Sequence, residues 1–355
     1  MRAWVVTWLF GFLCACAPTV APAYLDALAA GDRALSAGRL REAAEAYDRA
    51  ARAAERLRDR AEADYRAGRV LARLGAREQA LAHFDRVAAS SPDFERGARA
   101  AYEAAVLRWG DPATREEGLA ALEAIVRNRT MTGPARRAVT ALLRHDDTVD
   151  PTGITALQRI DALLAVERVR ASSLYETLLA ERAHRLEQAG RDDEAVAVWR
   201  GLFETVPYPQ NSHWDDGHMA LARLLRRRGD ARGALAALDA MLAPRDPACS
   251  GGSCDAPYFQ EGAMLRGEIL RDDLRDPIGA ARAFRQVYEW FPTSRVRDDA
   301  LEAEARVLEQ AGDARSCAVW IELAETFPCT RRGRAARARA SACGGATPHD
   351  DGRCR

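Results

Sequence analysis

Eight cysteines and six histidines are the residues of this 355-residue chain best suited to chemistry. Cys14 and Cys16 lie near the start, in Leu13-Cys14-Ala15-Cys16. Cys249, Cys254, Cys317, Cys329, Cys343 and Cys354 lie in the last third. The later six could ligate zinc or form disulfides. A structural zinc site needs closely spaced cysteine pairs with further Cys or His ligands. No C-x2-C pair is present, and His349 is the only histidine near the C-terminal cysteines. An even count in an exported chain reads as disulfides. Cys249-Ser-Gly-Gly-Ser-Cys254 is the strongest local pair, because a Gly/Ser loop can close onto itself. The pairing of the other four stays open, and they would staple the end of the fold.

His213, Asp215, Asp216 and His218 form a second cluster. No complete set of metal ligands follows from it. Capping of a helix start by Asp215 or Asp216 is the plainer reading, with Trp214 as a packing residue. The chain has no P-loop, no G-x-S-x-G and no H-E-x-x-H. Without them we expect no enzyme, no cofactor and no metal. Arg223, Arg226, Arg227 and Arg228 make the sharpest charged cluster. They could grip an acidic peptide or a chain-terminal carboxylate through forked hydrogen bonds. They could equally form a solvated helix face paired with neighbouring acids.

All 52 basic residues are arginines, and 52 acidic residues balance them. That balance speaks against a dedicated nucleic-acid binder, so no nucleic-acid partner is expected. A 48% hydrophobic share with 29% charge excludes wholesale disorder. The missing lysines, beside abundant alanine, reflect GC-rich coding. Scarce β-branched runs and spaced prolines favour helices.

Met1-Arg2 followed by an apolar run from Trp4 to Leu13 fits a secretory signal and is too short to span a bilayer. Leu13-Cys14-Ala15-Cys16 resembles the lipobox of bacterial lipoproteins. The resemblance implies cleavage before Cys16, lipidation of Cys16 and a membrane contact through the lipid anchor. Ala17 is not the aspartate that retains such proteins at the inner membrane, so the outer membrane is implied. Simple secretion, with Tyr24 as the mature start after Ala21-Pro22-Ala23, is the alternative. The sequon Asn128-Arg129-Thr130 is discounted in a bacterium.

One pattern repeats along the body: a small residue, a second apolar mark, a glycine, an alanine, an aromatic or Leu, and a proline. Gly68, Leu71, Gly75, Ala80, Phe84 and Pro92 show it in full. Gly31, Gly38 and Tyr47 belong to an earlier copy. Ala183, Gly190 and Trp199, then Ala222 and Gly229, follow later. Gly267, Ala280 and Phe284 form a copy with one residue inserted at the turn, and Ala305, Gly312 and Pro328 form the last. This resembles the tetratricopeptide repeat, a helix–turn–helix unit. Small residues let two helices approach, glycine ends the first helix (helix A), and proline closes the second (helix B). Residues 97–170 are degenerate. Their apolar spacing suggests one hairpin broken at Gly110-Asp111-Pro112 and another around Asp146–Gly153.

The expected fold is therefore all-α, a right-handed solenoid of about eight tetratricopeptide-like hairpins. The expected organisation is a signal peptide at 1–15, a linker at 16–23, the solenoid at 24–330 and a tail at 331–355. Ala335 to Ala342 would form a short cap. The tail carries seven arginines against Asp350 and Asp351, leaving the rest of the mature chain mildly acidic. It is a second candidate contact, toward anionic envelope surfaces.

Helix A of each copy should line a groove. The positions flanking the first small residue are Tyr65, Arg69 and Arg73 in the second copy. His184, Glu187 and Gln188 follow in the fifth hairpin, and Met219, Arg223, Arg226 and Arg227 in the sixth. Met264, Glu268 and Arg271 belong to the seventh, and Glu302, Arg306 and Glu309 to the eighth.

Tyr288-Glu-Trp-Phe-Pro-Thr-Ser-Arg-Val-Arg-Asp-Asp-Ala-Leu301 resembles a repeat junction found in two exported families. One is the lipoprotein D subunit of the outer-membrane β-barrel assembly machinery. The other is the periplasmic coordinator of cell division associated with Tol-Pal. The resemblance implies a periplasmic scaffold at the outer membrane, with protein partners in envelope assembly or division. The alternative is a structural, peptidoglycan-associated lipoprotein that acts as a spacer without a groove ligand.

Overall fold

The structure is a computed structural model and describes residues 20–90, 95–244 and 258–344. The signal segment, Cys14, Cys16, Cys249, Cys254, Cys354 and the tail beyond Gly344 lie outside the described residues. Among the described residues there are 18 helices and no strand. No described helix is long and apolar enough to cross a membrane. The chain divides after Leu174 into two compact units.

The first unit contains four antiparallel hairpins. These are α1 (Pro22–Ser36) with α2 (Leu40–Ala53), and α3 (Leu57–Arg73) with α4 (Arg77–Ser90). Next come α5 (Glu95–Trp109) with α6 (Arg115–Asn128), then α7 (Gly133–Val149) with α8 (Ile154–Leu164). A single turn, α9 (Glu167–Arg170), follows. The second unit pairs α10 (Leu174–Gln188) with α11 (Asp192–Thr205), and α12 (Trp214–Arg227) with α13 (Ala231–Leu242). It continues with α14 (Phe259–Asp272) and α15 (Pro277–Trp290), then α16 (Arg297–Gln310) and α17 (Arg315–Thr326). Helix α18 (Arg331–Ala342) closes the unit. The expected eight hairpins are all present, including the two in the degenerate stretch.

Turn chemistry explains the regular hairpins. Gly75 has φ of 76°, which ends α3 in the left-handed conformation. The next N–H, on Ala76, reaches back to the carbonyl of Leu71 at 3.0 Å. That bond satisfies a carbonyl the helix end would otherwise orphan. Arg191 to Leu186 and Asp313 to Leu308 repeat it at 2.8 and 2.9 Å. The inserted turn of the seventh hairpin uses Arg275 instead, at φ of 56°. Asp276 N–H there donates to Leu270 O at 2.8 Å, one residue further back than its counterparts.

Close packing explains the small residues. A Cβ added to Gly68 would meet Phe84 Cε1 at 2.9 Å, and one on Gly267 would meet Phe284 Cε1 at 2.5 Å. Tyr47, Phe84, Trp199 and Phe284 are buried by this contact type in their own or the next hairpin. In the third hairpin the close approach moves to helix B. A Cβ on Gly118 of α6 would sit 2.2 Å from the backbone nitrogen of Trp109 in α5. In the fourth, Gly153 opens α8 rather than closing α7. Asp150 organises that turn by accepting from Thr152 Oγ1 at 2.5 Å and the Thr155 N–H at 2.9 Å. These donors hold its carboxyl down at about 2.

Helix α18 begins at Arg331, four residues before the expected cap, because the Thr330 side chain accepts from Gly333 N–H at 3.1 Å. Cys317 and Cys343 form a disulfide between α17 and the end of α18. Cys329 is disulfide-bonded as well.

Candidate binding groove

Helices α1, α3 and α5, the A helices of the first three hairpins, line a pocket of about 540 Å³ in the first unit. Tyr65, Arg66, Arg69 and Arg73 reach it from α3 because they lie at helical spacing on one face. Asp32 enters from α1, and Glu95, Arg96 and Arg99 enter from α5. A second pocket of about 430 Å³ shares Tyr65, Arg69, Glu95 and Arg99 and adds Glu103 and Arg137. The two pockets make one groove across α1, α3, α5 and α7.

Most of its charges are already matched. Arg66 donates to Asp32 at 2.6 Å and to Glu62 at 2.5 Å. Arg96 pairs with Glu62 at 2.6 Å, and Arg99 with Glu95 at 3.3 Å. Tyr47 donates to Asp32 at 2.6 Å, and burial together with that bond pushes its hydroxyl up to about 12. Arg69 and Arg73 are exposed and make no ion pair among the described residues. The groove therefore carries cationic charge that the unit itself does not neutralise.

In the second unit Arg223, Arg226, Arg227, Met264 and Glu268, all expected at a groove, line a pocket of about 460 Å³ together, but its charges are matched internally. The arginines of 223–228 are the paired helix face. Arg223 pairs with Glu261, and Arg228 with Asp193. Arg226 faces Glu268 at 3.5 Å, Asp272 at 3.6 Å and Asp273 at 2.7 Å. Arg227 reaches Glu187 at 3.3 Å. Glu187 also accepts from the indole of Trp199 at 3.0 Å, and His184 packs edge-on against the same ring at 5.0 Å. Arg271 is forked onto Asp272 at 2.7 and 2.8 Å and lies over Phe284. Arg306 is bound to Glu302 at 2.6 Å and lies over Trp320. Met219 is 1% exposed, so it belongs to the core and not to a groove.

The 213–218 cluster is a joint between hairpins. Phe203 of α11 stacks on His218 at 3.7 Å and meets Trp214 edge-on at 5.7 Å. The Trp214 indole donates to Met241 O at 3.2 Å, so its expected packing role holds. The expected capping role does not. Asp215 and Asp216 lie inside the first turn, and His213 is the N-cap residue, without a side-chain cap bond. Asp216 instead meets His213 at 3.1 Å, which raises the histidine and lowers the aspartate. Burial pushes His218 down to about 4. Among the described residues no group of three His, Cys, Asp or Glu side chains could hold a metal.

Of the residues expected at a groove, Tyr65, Arg69 and Arg73 line the pocket of the first unit, together with Asp32, Glu62 and Arg66, which the repeat positions did not single out. Glu95, Arg96, Arg99, Glu103 and Arg137 stand on helices whose repeats have lost the glycine marks that give register. The helical spacing of Ala98, Ala101 and Ala105 was the remaining signal for the facing of α5.

No protein-family model matches the chain, and no curated protein matches it. Several solved structures are similar. A tetratricopeptide repeat protein from Parabacteroides merdae is 17% identical, covering 79% of this chain and 98% of its own, with a TM-score of 0.33. A thermophilic tetratricopeptide protein of Thermus thermophilus is 20% identical over 74% of this chain and 100% of its own, with a TM-score of 0.25. The TPR2AB domain of yeast Sti1, in its complex with pHSP90, is 11% identical over 90% and 97%, with a TM-score of 0.28. The tetratricopeptide-like fold rests on the chain's own hairpins, turns and packing.

Proposed function

We propose that this protein is a lipid-anchored scaffold of the bacterial envelope that holds an extended segment of a partner protein in the groove of its first unit. The groove carries this reading, because it crosses four A helices and leaves Arg69 and Arg73 unmatched. The anchor would be Cys16, at the periplasmic face of the outer membrane. The partners would belong to outer-membrane protein assembly or to division, as the junction at residues 288–301 suggests. The second unit favours the spacer reading for its own part. Its groove arginines are spent on internal pairs that brace one hairpin against the next.

Two experiments test this. A photo-crosslinking side chain placed at Tyr65 or Arg99 in cells should capture one reproducible partner. The same probe at Arg52 or Arg282, exposed on B helices, should not. Capture only from the B-helix positions would overturn the groove. Cys16→Ser should move the protein from the membrane fraction to the soluble fraction, and retention would overturn the anchor.

A further inference from the structure

We infer that the groove of the first unit reads an extended acidic segment with carboxylates at alternate positions, and that Arg69 and Arg73 are the residues that read it. The inference rests on the groove reading above and names the chemistry of its occupant.

Five arginines line the larger pocket, against Asp32, Glu62 and Glu95. Arg66, Arg96 and Arg99 are held by those three carboxylates. Arg69 and Arg73 remain, on one helix and four residues apart. Neighbours at that spacing stand about 5–6 Å apart at their Cβ atoms. In an extended strand, every second side chain points the same way, at roughly 7 Å intervals. Two carboxylates at positions i and i+2 of an extended segment therefore match the two guanidinium groups. Adjacent carboxylates do not, because they point to opposite sides.

Geometry adds a path. Arg69 lines both pockets, whereas Arg73 lines only the larger one. The larger pocket extends along α3 from Glu62 to Arg73, so a segment lying along that helix meets both guanidinium groups in turn. Tyr65 lies beside both pockets with its ring tilted against the buried Phe84 at 5.9 Å. That contact fixes the ring as a wall of the path. The second unit supplies the contrast. Arg223 and Arg227 look equally suited in sequence but are already bound to Glu261 and Glu187. An acidic ligand there would have to displace an existing partner, while at Arg69 and Arg73 it would break no ion pair.

The test uses the full oxidised chain and synthetic peptides capped at both ends, so that no terminal carboxylate is present. One peptide carries glutamates at alternate positions, a second carries the same glutamates side by side, and a third replaces them with glutamine. The alternating peptide should bind best, and the glutamine peptide should lose about tenfold or more, as expected for losing charge-assisted bonds. Arg69→Gln and Arg73→Gln should each lose about tenfold for the alternating peptide, while Arg223→Gln with Arg227→Gln should change little. Arg69→Lys should recover only part of the binding, because an ammonium lacks the fork. Equal binding of the three peptides, or equal loss from both arginine pairs, would overturn the inference. Failure of every peptide to bind would do so too. Crosslinks from Tyr65 would survive such a failure, so the two readings fall separately.

Discussion

Arg275 stands in the left-handed backbone conformation, at φ of 56°, in the turn position that Gly312 occupies at 69° in the next hairpin. A side chain in that region crowds the following carbonyl, at a cost of about 1–2 kcal/mol. The inserted residue at this turn makes the substitution informative. Arg275→Gly should stabilise the second unit by about 1 kcal/mol, read as a higher urea midpoint. Gly312→Ala should destabilise it by a similar amount. If Arg275→Gly leaves the midpoint unchanged, the backbone strain assigned here is absent.

The second prediction concerns the contact between α14 and α15. Phe284 is fully buried, and Gly267 leaves no room for a methyl group beneath it. Gly267→Ala gains helix propensity but forces the ring to move. Overpacking of that kind costs about 1–3 kcal/mol, more than the roughly 1 kcal/mol that alanine offers in a helix. The net effect should be destabilising, with broadened aromatic signals in the near-ultraviolet dichroism. A more stable variant with an unchanged spectrum would show that the ring has slack.

These two sites also show what was legible in the sequence. Gly267 and Phe284 could be read because close approach admits few residue types, and the pair recurs as Gly31 with Tyr47 and Gly68 with Phe84. The third hairpin was readable only as apolar spacing, since Gly118 performs the close approach from the other helix. That shift concealed Arg96 and Arg99 as groove residues. Ion pairing was legible as one of two readings of residues 223–228, but the partner of each arginine was not. Arg69 and Arg223 are alike in type and repeat position, yet only Arg223 finds a carboxylate, Glu261, on the neighbouring A helix. Which acid lies within reach depends on how each hairpin sits against the next, and that is a property of packing rather than of local pattern.

The disulfide between Cys317 and Cys343 yields a third prediction. Helix α18 buries only Gly333, Ala336 and Ala340 against its neighbours, a small apolar stake. Its ion pairs run from Arg332 to Asp299, to Glu302 at 3.0 Å and to Asp298 at 3.9 Å, and from Arg339 to Glu309. Cross-linking residues 26 apart restricts the unfolded chain by about 3–4 kcal/mol in the chain-entropy account. The double variant Cys317→Ser, Cys343→Ser should therefore speed amide exchange across α18 by orders of magnitude. Protection in α14 should be unaffected. Equal protection of α18 in both proteins would mean that the arginine pairs alone hold it.

Glu304 gives the last prediction, one of pH dependence. Its side chain is buried on α16, 7% exposed, and it accepts from Arg285 Nε at 3.1 Å. Arg285 also serves Glu322, at 2.8 Å. Burial is the larger influence and the shared cation only partly offsets it, so the Glu304 carboxyl is pushed up to about 7 from its ordinary 4.5. Between those values the native state holds a proton that the unfolded state has lost. The contribution of Glu304 is thus fully present below about pH 4.5 and is lost as pH rises through about 7. At about 1.4 kcal/mol per unit, the loss is on the order of 3 kcal/mol. His218 acts with the opposite sign. Its folded value near 4 lies below the ordinary 6.5, so its contribution is lost as pH falls. The two slopes overlap and flatten the parent profile. Glu304→Gln keeps an acceptor for Arg285 and removes the titration. Its stability relative to the parent should climb by about 3 kcal/mol between pH 4.5 and 8, measured by urea unfolding at each pH. Parallel curves for the two proteins would place the Glu304 carboxyl in the ordinary range and remove the cancellation with His218.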